Sequence, residues 1–174
     1  ISRIDIINRL TERVSIVKDY VRDQGYNVEY CFFIDMRIPS GKNRFFVYNL
    51  IDDSVAIAGL VAHGKGSDIG SPDALMFSNV PNSNCTSLGK YKMGRSYSGI
   101  FGRSYKLHGL DKTNSNAFER SVVLHSFCGV PDKEVYPASI CKSEGCPTVS
   151  PAFLTQLKVY LDNSDKPILL WIYY

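Results

Sequence analysis

The chain has 174 residues, 44% of them hydrophobic, which suits a globular domain with a sizeable core and excludes a disordered chain. A formal charge of +3 without a run of basic residues gives no footprint for nucleic acid. No apolar stretch approaches the length of a membrane span, so no integral membrane segment is expected.

Ser2 followed by Asp5 reads as a helix cap, and Ile4, Ile7, Leu10, Val14, Val17 and Val21 then recur at three- and four-residue spacing. That spacing predicts an amphipathic helix that stops near Gly25 and covers an edge or face of a sheet. From Val28 the period changes. Tyr30 to Ile34, Arg44 to Tyr48 and Val55 to Val61 are aromatic and β-branched runs split by Pro39-Ser40-Gly41 and Asp52-Asp53, the pattern of an antiparallel meander. Residues 64–85, rich in Gly, Ser, Asn and Pro, form a long connection, a class of loop that is usually functional in compact domains. Leu88 to Met93 and Ser104 to Leu107 read as strands joined through Gly94 to Gly102, and Asn114 to Arg120 as a short helical turn. Val122 to Ser126 reads as a buried strand carrying His125 at its end. Ser150 and Pro151 can cap and open a helix striped by Leu154, Leu157 and Leu161, and Ile168 to Tyr174 is a strand buried on at least one face. The predicted fold is mainly β, a sandwich or partly closed barrel, with an N-terminal amphipathic helix and a second helix after Cys146. Residues 1–174 are expected to form a single domain, with the helix of residues 1–25 packed on it.

The stretch Ser143-Glu144-Gly145-Cys146-Pro147 carries the chemistry. Gly145 allows a close or positive-φ backbone and Pro147 fixes φ, so the Cys146 thiol sits on a rigid corner. A thiol attacks a carbonyl as thiolate, and an imidazole within about 3 to 3.5 Å takes its proton. His125, separated from Ser143 by seventeen residues, can supply that imidazole, and the helix opening at Ser150 adds partial positive charge near the sulfur.

His125, a gap of seventeen residues and then Ser-x-Gly-Cys resembles the catalytic signature of the murein L,D-transpeptidases (YkuD-like). Similar to a divergent Ser-x-Gly-Cys-Pro branch of that family are Ile34-Asp35 through Pro39-Ser40, Val61-Ala62-His63-Gly64 with Ser67, Phe77-Ser78-Asn79 through Ser87-Leu88-Gly89-Lys90-Tyr91, and Asn116 through Arg120. The resemblance implies that Cys146 is the nucleophile and His125 its base. Ser126 stands where the family has a group that holds the imidazole, either as a backbone carbonyl or as a small side chain. The N–H groups of Gly145 and Cys146 are the expected oxyanion donors. The family reading makes His63, Ser143, Arg120 and Asn79 candidates for substrate binding, and Tyr91 a structural residue. Two positions depart from the commoner pattern: Glu144 stands where many members have His, and Thr148 where many have Arg or Asn. With no cation at Thr148, Arg120 or Lys142 is left to meet a substrate carboxylate.

The implied activity is cross-linking of peptidoglycan stem peptides by an exported enzyme of the periplasm or cell envelope, or L,D-carboxypeptidase hydrolysis at the same site. No cofactor and no metal are implied. The chain shows no charged-then-apolar leader at Ile1, which leaves a cytosolic protein or one whose export signal was removed. Two further readings come from other classes. His125, Cys128, Cys141 and Cys146 have a spacing tolerable for a zinc site, and the same fold without an activated thiol would be a wall-binding domain. Five cysteines leave at least one unpaired; Cys128 and Cys141 bracket twelve residues and suit either a disulfide or two packed thiols, and Cys31 reads as a packed apolar residue. His108 is expected to be structural.

Overall fold

The computed structural model describes residues 1–70 and 74–174; of the connection expected over residues 64–85, residues 71–73 lie outside the described residues. The first helix, α1, spans Arg3–Asp23 and opens on the expected capping box. Ser2 Oγ accepts from the Asp5 N–H at 3.1 Å, and Asp5 Oδ2 accepts from the Ser2 N–H at 3.0 Å. Leu10, Val14, Val17 and Val21 are buried, whereas Ile4 and Ile7 of the predicted stripe are exposed. The first turns of α1 instead face a cavity through Asp5, Asn8 and Arg9.

Eight strands follow: β1 (Tyr30–Asp35), β2 (Phe45–Asn49), β3 (Ser54–Gly59), β4 (Gly89–Gly99), β5 (Gly102–Gly109), β6 (Val123–Ser126), β7 (Thr148–Val149) and β8 (Leu169–Tyr173), with α2 (Pro151–Asp162) before the last. They form one open mixed sheet in the order β3-β2-β1-β8-β4-β5-β6-β7. The β1–β8 and β6–β7 pairs are parallel and the others antiparallel, including the β1-β2-β3 meander read from the sequence. The mainly β architecture with a helix on either side is thus as expected.

Alternation along the central strands sorts side chains between two cores. Cys31 and Phe33 of β1 and Leu169 and Tyr173 of β8 face α1; Phe32, Ile34, Leu170 and Ile172 face the core that α2 enters with Phe153, Leu154 and Leu157. Each fully buried side chain of this size stabilises by about 1.5–3 kcal/mol, so β1 and β8, buried on both faces, anchor the sheet. Helix α2 is capped as predicted, with the Phe153 N–H donating to Ser150 Oγ at 3.1 Å and Pro151 in the first turn.

One expected loop is strand. The β4–β5 ladder continues past a bulge between Met93 and Ser96 to the pairs Tyr97–Ser104, Ser98–Arg103 and Gly99–Gly102, leaving Ile100-Phe101 as a two-residue tip. Residues 95–99 are exposed, so no burial alternation marks them in the sequence. The turn expected at 114–120 begins as a 3-10 turn at Lys112–Asn114 and continues through the Arg120 N–H, which donates to Asn116 O at 2.8 Å.

Candidate active site

The site lies at the β6–β7 edge, where parallel pairing sets His125 beside Thr148 and Ser126 beside Val149. Cys146, two residues before Thr148, is level with Val123, two residues before His125. The edge is extended by residues 62–64: Ala62 bridges Thr148 and Gly64 bridges Ser143. Only glycine fits at Gly64, because a Cβ there would overlap the Asn84 carbonyl and stand 2.8 Å from Gly145 Cα.

Ser143 clamps the cysteine turn. Its hydroxyl donates to Cys146 O at 2.6 Å and accepts from the Gly145 N–H at 3.2 Å, while Gly145 takes φ +122°. The hydroxyl of Ser143, expected at the substrate, is therefore used inside the turn. The Gly145 N–H, expected as an oxyanion donor, is engaged by it; a short Ser-x-Gly turn closes on its own serine.

The Cys146 sulfur accepts from the Val123 N–H at 3.5 Å and lies 3.9 Å from Ser121 O. Burial pushes this thiol up, against the opposing pull of the Val123 N–H and the Arg120 charge, so the resting sulfur is protonated at neutral pH. His125 Nδ1 donates to the Ser126 carbonyl at 3.1 Å, which makes Nε2 the acceptor; Thr148 Oγ1 is 3.0 Å from that nitrogen. The backbone of Ser126, not its hydroxyl, thus holds the ring. Phe101 from the β4–β5 tip stacks on the imidazole with centroids 4.1 Å apart. Burial lowers the His125 pKa, partly offset by the Ser126 carbonyl. The hydrogen bonds of Nε2 and Sγ do not meet directly: Thr148, which also approaches Cys146 O at 3.2 Å, stands between the two residues.

Arg120 reaches the same corner. A Cβ on Gly145 would lie 3.5 Å from Arg120 Nη2. The guanidinium donates to Ser78 O at 2.9 Å, Cys85 O at 2.8 Å, Ser83 Oγ at 3.3 Å and Ser87 Oγ, all neutral acceptors. Asn79 does not join it. Its amide donates to Lys112 O at 3.2 Å and Ser115 Oγ at 3.0 Å, and its oxygen accepts from the Asn116 N–H at 3.1 Å, so Asn79 fixes the loop that delivers Arg120.

His63 points elsewhere. Its Nδ1 is 2.9 Å from Arg44 Nη2, and it lines a cavity of about 820 Å³ to which Cys146 and His125 do not contribute. His108 stacks on Phe118 with centroids 5.2 Å apart, away from the site, and Lys142 pairs with Asp68. Tyr91 is fully buried, with its hydroxyl donating to Ser87 O at 2.7 Å, in line with a structural role. The zinc reading fails: among the described residues no three metal-ligating side chains converge, and both His125 nitrogens are engaged by Ser126 and Thr148. All five cysteines are free, Cys31 fully buried.

Sequence reasoning missed Thr148 and Phe101 as site residues. Thr148 was visible as a hydroxyl two residues past the thiol; its pairing to His125 requires the parallel register. Phe101 was hidden by the misread hairpin.

A model of the L,D-transpeptidase catalytic domain matches residues 7–173, and the chain belongs to that family. Among solved structures it is similar to the helical cell shape determining protein of Campylobacter jejuni (a lysine-to-alanine mutant; TM-score 0.52, 10% identity, 84% of this chain and 48% of that one). It is also similar to a cysteine-to-serine mutant of an Enterococcus faecium L,D-transpeptidase (TM-score 0.50, 11% identity, 83% and 50%) and to a protein of Bdellovibrio bacteriovorus (TM-score 0.50, 14% identity, 86% and 49%). The chain spans about half the length of these structures. No curated protein matches it.

Proposed function

We propose that the chain is the catalytic unit, over residues 1–174, of an exported cell-envelope enzyme acting on peptidoglycan stem peptides through a thioester at Cys146. The observation that carries this reading is the pairing of His125, with its acceptor Nε2, to the strand that follows the Cys146 turn. As the sulfur attacks the carbonyl of the L-centre of the third residue, its proton is taken up at His125 Nε2, the acceptor nitrogen, which Thr148 Oγ1 contacts at 3.0 Å. The Cys146 N–H receives the developing oxyanion. Collapse breaks the C–N bond, His125 protonates the departing D-alanine amine, and the stem remains on sulfur as a thioester. An amine of a second stem then takes the acyl group and releases the thiol; water in its place gives L,D-carboxypeptidase hydrolysis. Arg120, a cation with neutral neighbours beside the turn, has its four Nη–H donors held by Ser78, Ser83, Cys85 and Ser87, and acts through its charge, which favours the thiolate.

Incubation with muropeptides followed by mass analysis tests this. Dimers report transfer and shortened monomers report hydrolysis; the same product profile from Cys146→Ala overturns the proposal.

A further inference from the structure

The cavity beside α1 carries chemistry that the Cys146 site leaves unused. Its wall includes Asn8 and Arg9 of α1, Arg44 at the start of β2, His63, Ile140 and Lys142. Arg9 is engaged by Asp35 at 2.8 Å, and Lys142 by Asp68. Arg44 is different: it is 1% exposed and has no carboxylate partner among the described residues. Its guanidinium donates to Val61 O at 2.9 and 2.7 Å, Ile38 O at 3.2 Å and His63 Nδ1 at 2.9 Å. A guanidinium has five N–H groups, so one Nη1–H is left over.

Since Arg44 can only donate, His63 Nδ1 must accept, and the ring proton sits on Nε2. That Nε2–H is buried and has no hydrogen-bond partner, in a side chain 7% exposed. Burial and the Arg44 charge hold His63 neutral, with a pKa lowered to about 4, while Arg44, lowered by burial to about 9, stays cationic at neutral pH. A buried cation that feels the Asp35 charge but has no carboxylate in hydrogen-bond contact, and an orphaned donor on the same wall, both favour an acceptor that bears negative charge.

We propose that this cavity binds a carboxylate whose oxygen accepts from His63 Nε2–H, with the Arg44 guanidinium on the far side of the ring favouring the negative charge. The carboxylate comes from a free small acid or from an acidic peptide. The site is separate from the thiol, so it stands whether or not Cys146 forms a thioester.

The test uses the whole chain with Cys146→Ala, so that acylation contributes nothing. Imidazole nitrogen resonances are followed by NMR at neutral pH during titration with sodium acetate, with the tripeptide Ala-Glu-Lys with its carboxylates ionised, and with sodium chloride as the control for ionic strength. A saturable shift of the His63 Nε2–H with acetate supports a site open to free acids; a shift with the peptide alone supports a peptide carboxylate. In either case thermal stabilisation by the same probe should need at least tenfold more of it in His63→Leu. Should His63→Leu not fold, the titration of the parent chain still decides. A resonance that moves with neither probe, or equally with chloride, overturns the proposal and assigns the orphan proton to a buried water.

Discussion

His63 and His125 each close an apolar run, each is buried, and burial lowers the pKa of both. Their neighbours make them opposites. His125 lies between a carbonyl and a hydroxyl, Ser126 O and Thr148 Oγ1, so an added proton on Nε2 finds an acceptor and the imidazolium is accommodated. His63 faces the Arg44 guanidinium, which forbids a proton on Nδ1, so its ring stays neutral and acts as a donor alone. Two strand-end histidines that look alike in sequence therefore serve as a base and as a fixed hydrogen-bond donor, and the difference lies in what each ring touches.

The comparison breaks most completely at His125. Replacing it with Gln should lower product formation from stem peptides about a thousandfold, with far-ultraviolet circular dichroism unchanged. His63→Gln should leave a far larger share of the activity. Equal losses from the two variants would mean that the two rings do not differ in function.

Acid separates them by stability. His63 is bound neutral with a pKa near 4 against an ordinary value of 6.5, so the unfolded chain takes up a proton that the folded chain refuses between those limits. Folding free energy should therefore fall as pH drops from 6.5 to 4, by about 3 kcal/mol from this group, with no further loss from it below that. Urea unfolding at a series of pH values reads this directly, and in His63→Gln that part of the acid limb should vanish.

Thr148 sharpens the role of His125. Thr148→Val removes the hydroxyl at Nε2 while keeping shape, and should cut turnover about tenfold or more, with Thr148→Ser close to the parent. Turnover that rises in Thr148→Val would mean that the hydroxyl blocks the thiol and does not serve it.

The smallest effect is expected at Phe101. The ring covers one face of His125, so Phe101→Ala should admit water and raise the His125 pKa toward the ordinary imidazole value, a shift that NMR titration of the ring measures. The stack itself is worth about 0.5–1.5 kcal/mol.

Much of the fold was legible because its signals were local. The Ser2–Asp5 cap, the Ser150-Pro151 helix start and the β1-β2-β3 meander follow from capping chemistry and alternation. The β4–β5 extension was not, since its outer pairs are solvent-exposed and carry no hydrophobic period. In the site, Cys146 and His125 were readable from the Gly-Cys-Pro turn and the strand-end imidazole. Thr148 was read only as a missing cation, and Ser143, Gly145 and Asn79 as groups facing substrate. Their actual partners are set by register and loop closure, which no local pattern encodes. Arg44 gave no warning at all: a lone arginine at the start of a strand reads as a surface residue, and its burial beside His63 is a tertiary outcome.

The most direct measurement is the rate at which iodoacetamide alkylates Cys146 at neutral pH, followed by intact mass, in the parent chain and in His125→Gln. Burial keeps the resting thiol protonated, so fast labelling depends on the imidazole taking the proton as the sulfur reacts. The account predicts at least tenfold slower labelling without His125. Equal rates in the two proteins would contradict it, leaving Cys146 a thiol that the neighbouring strand does not activate.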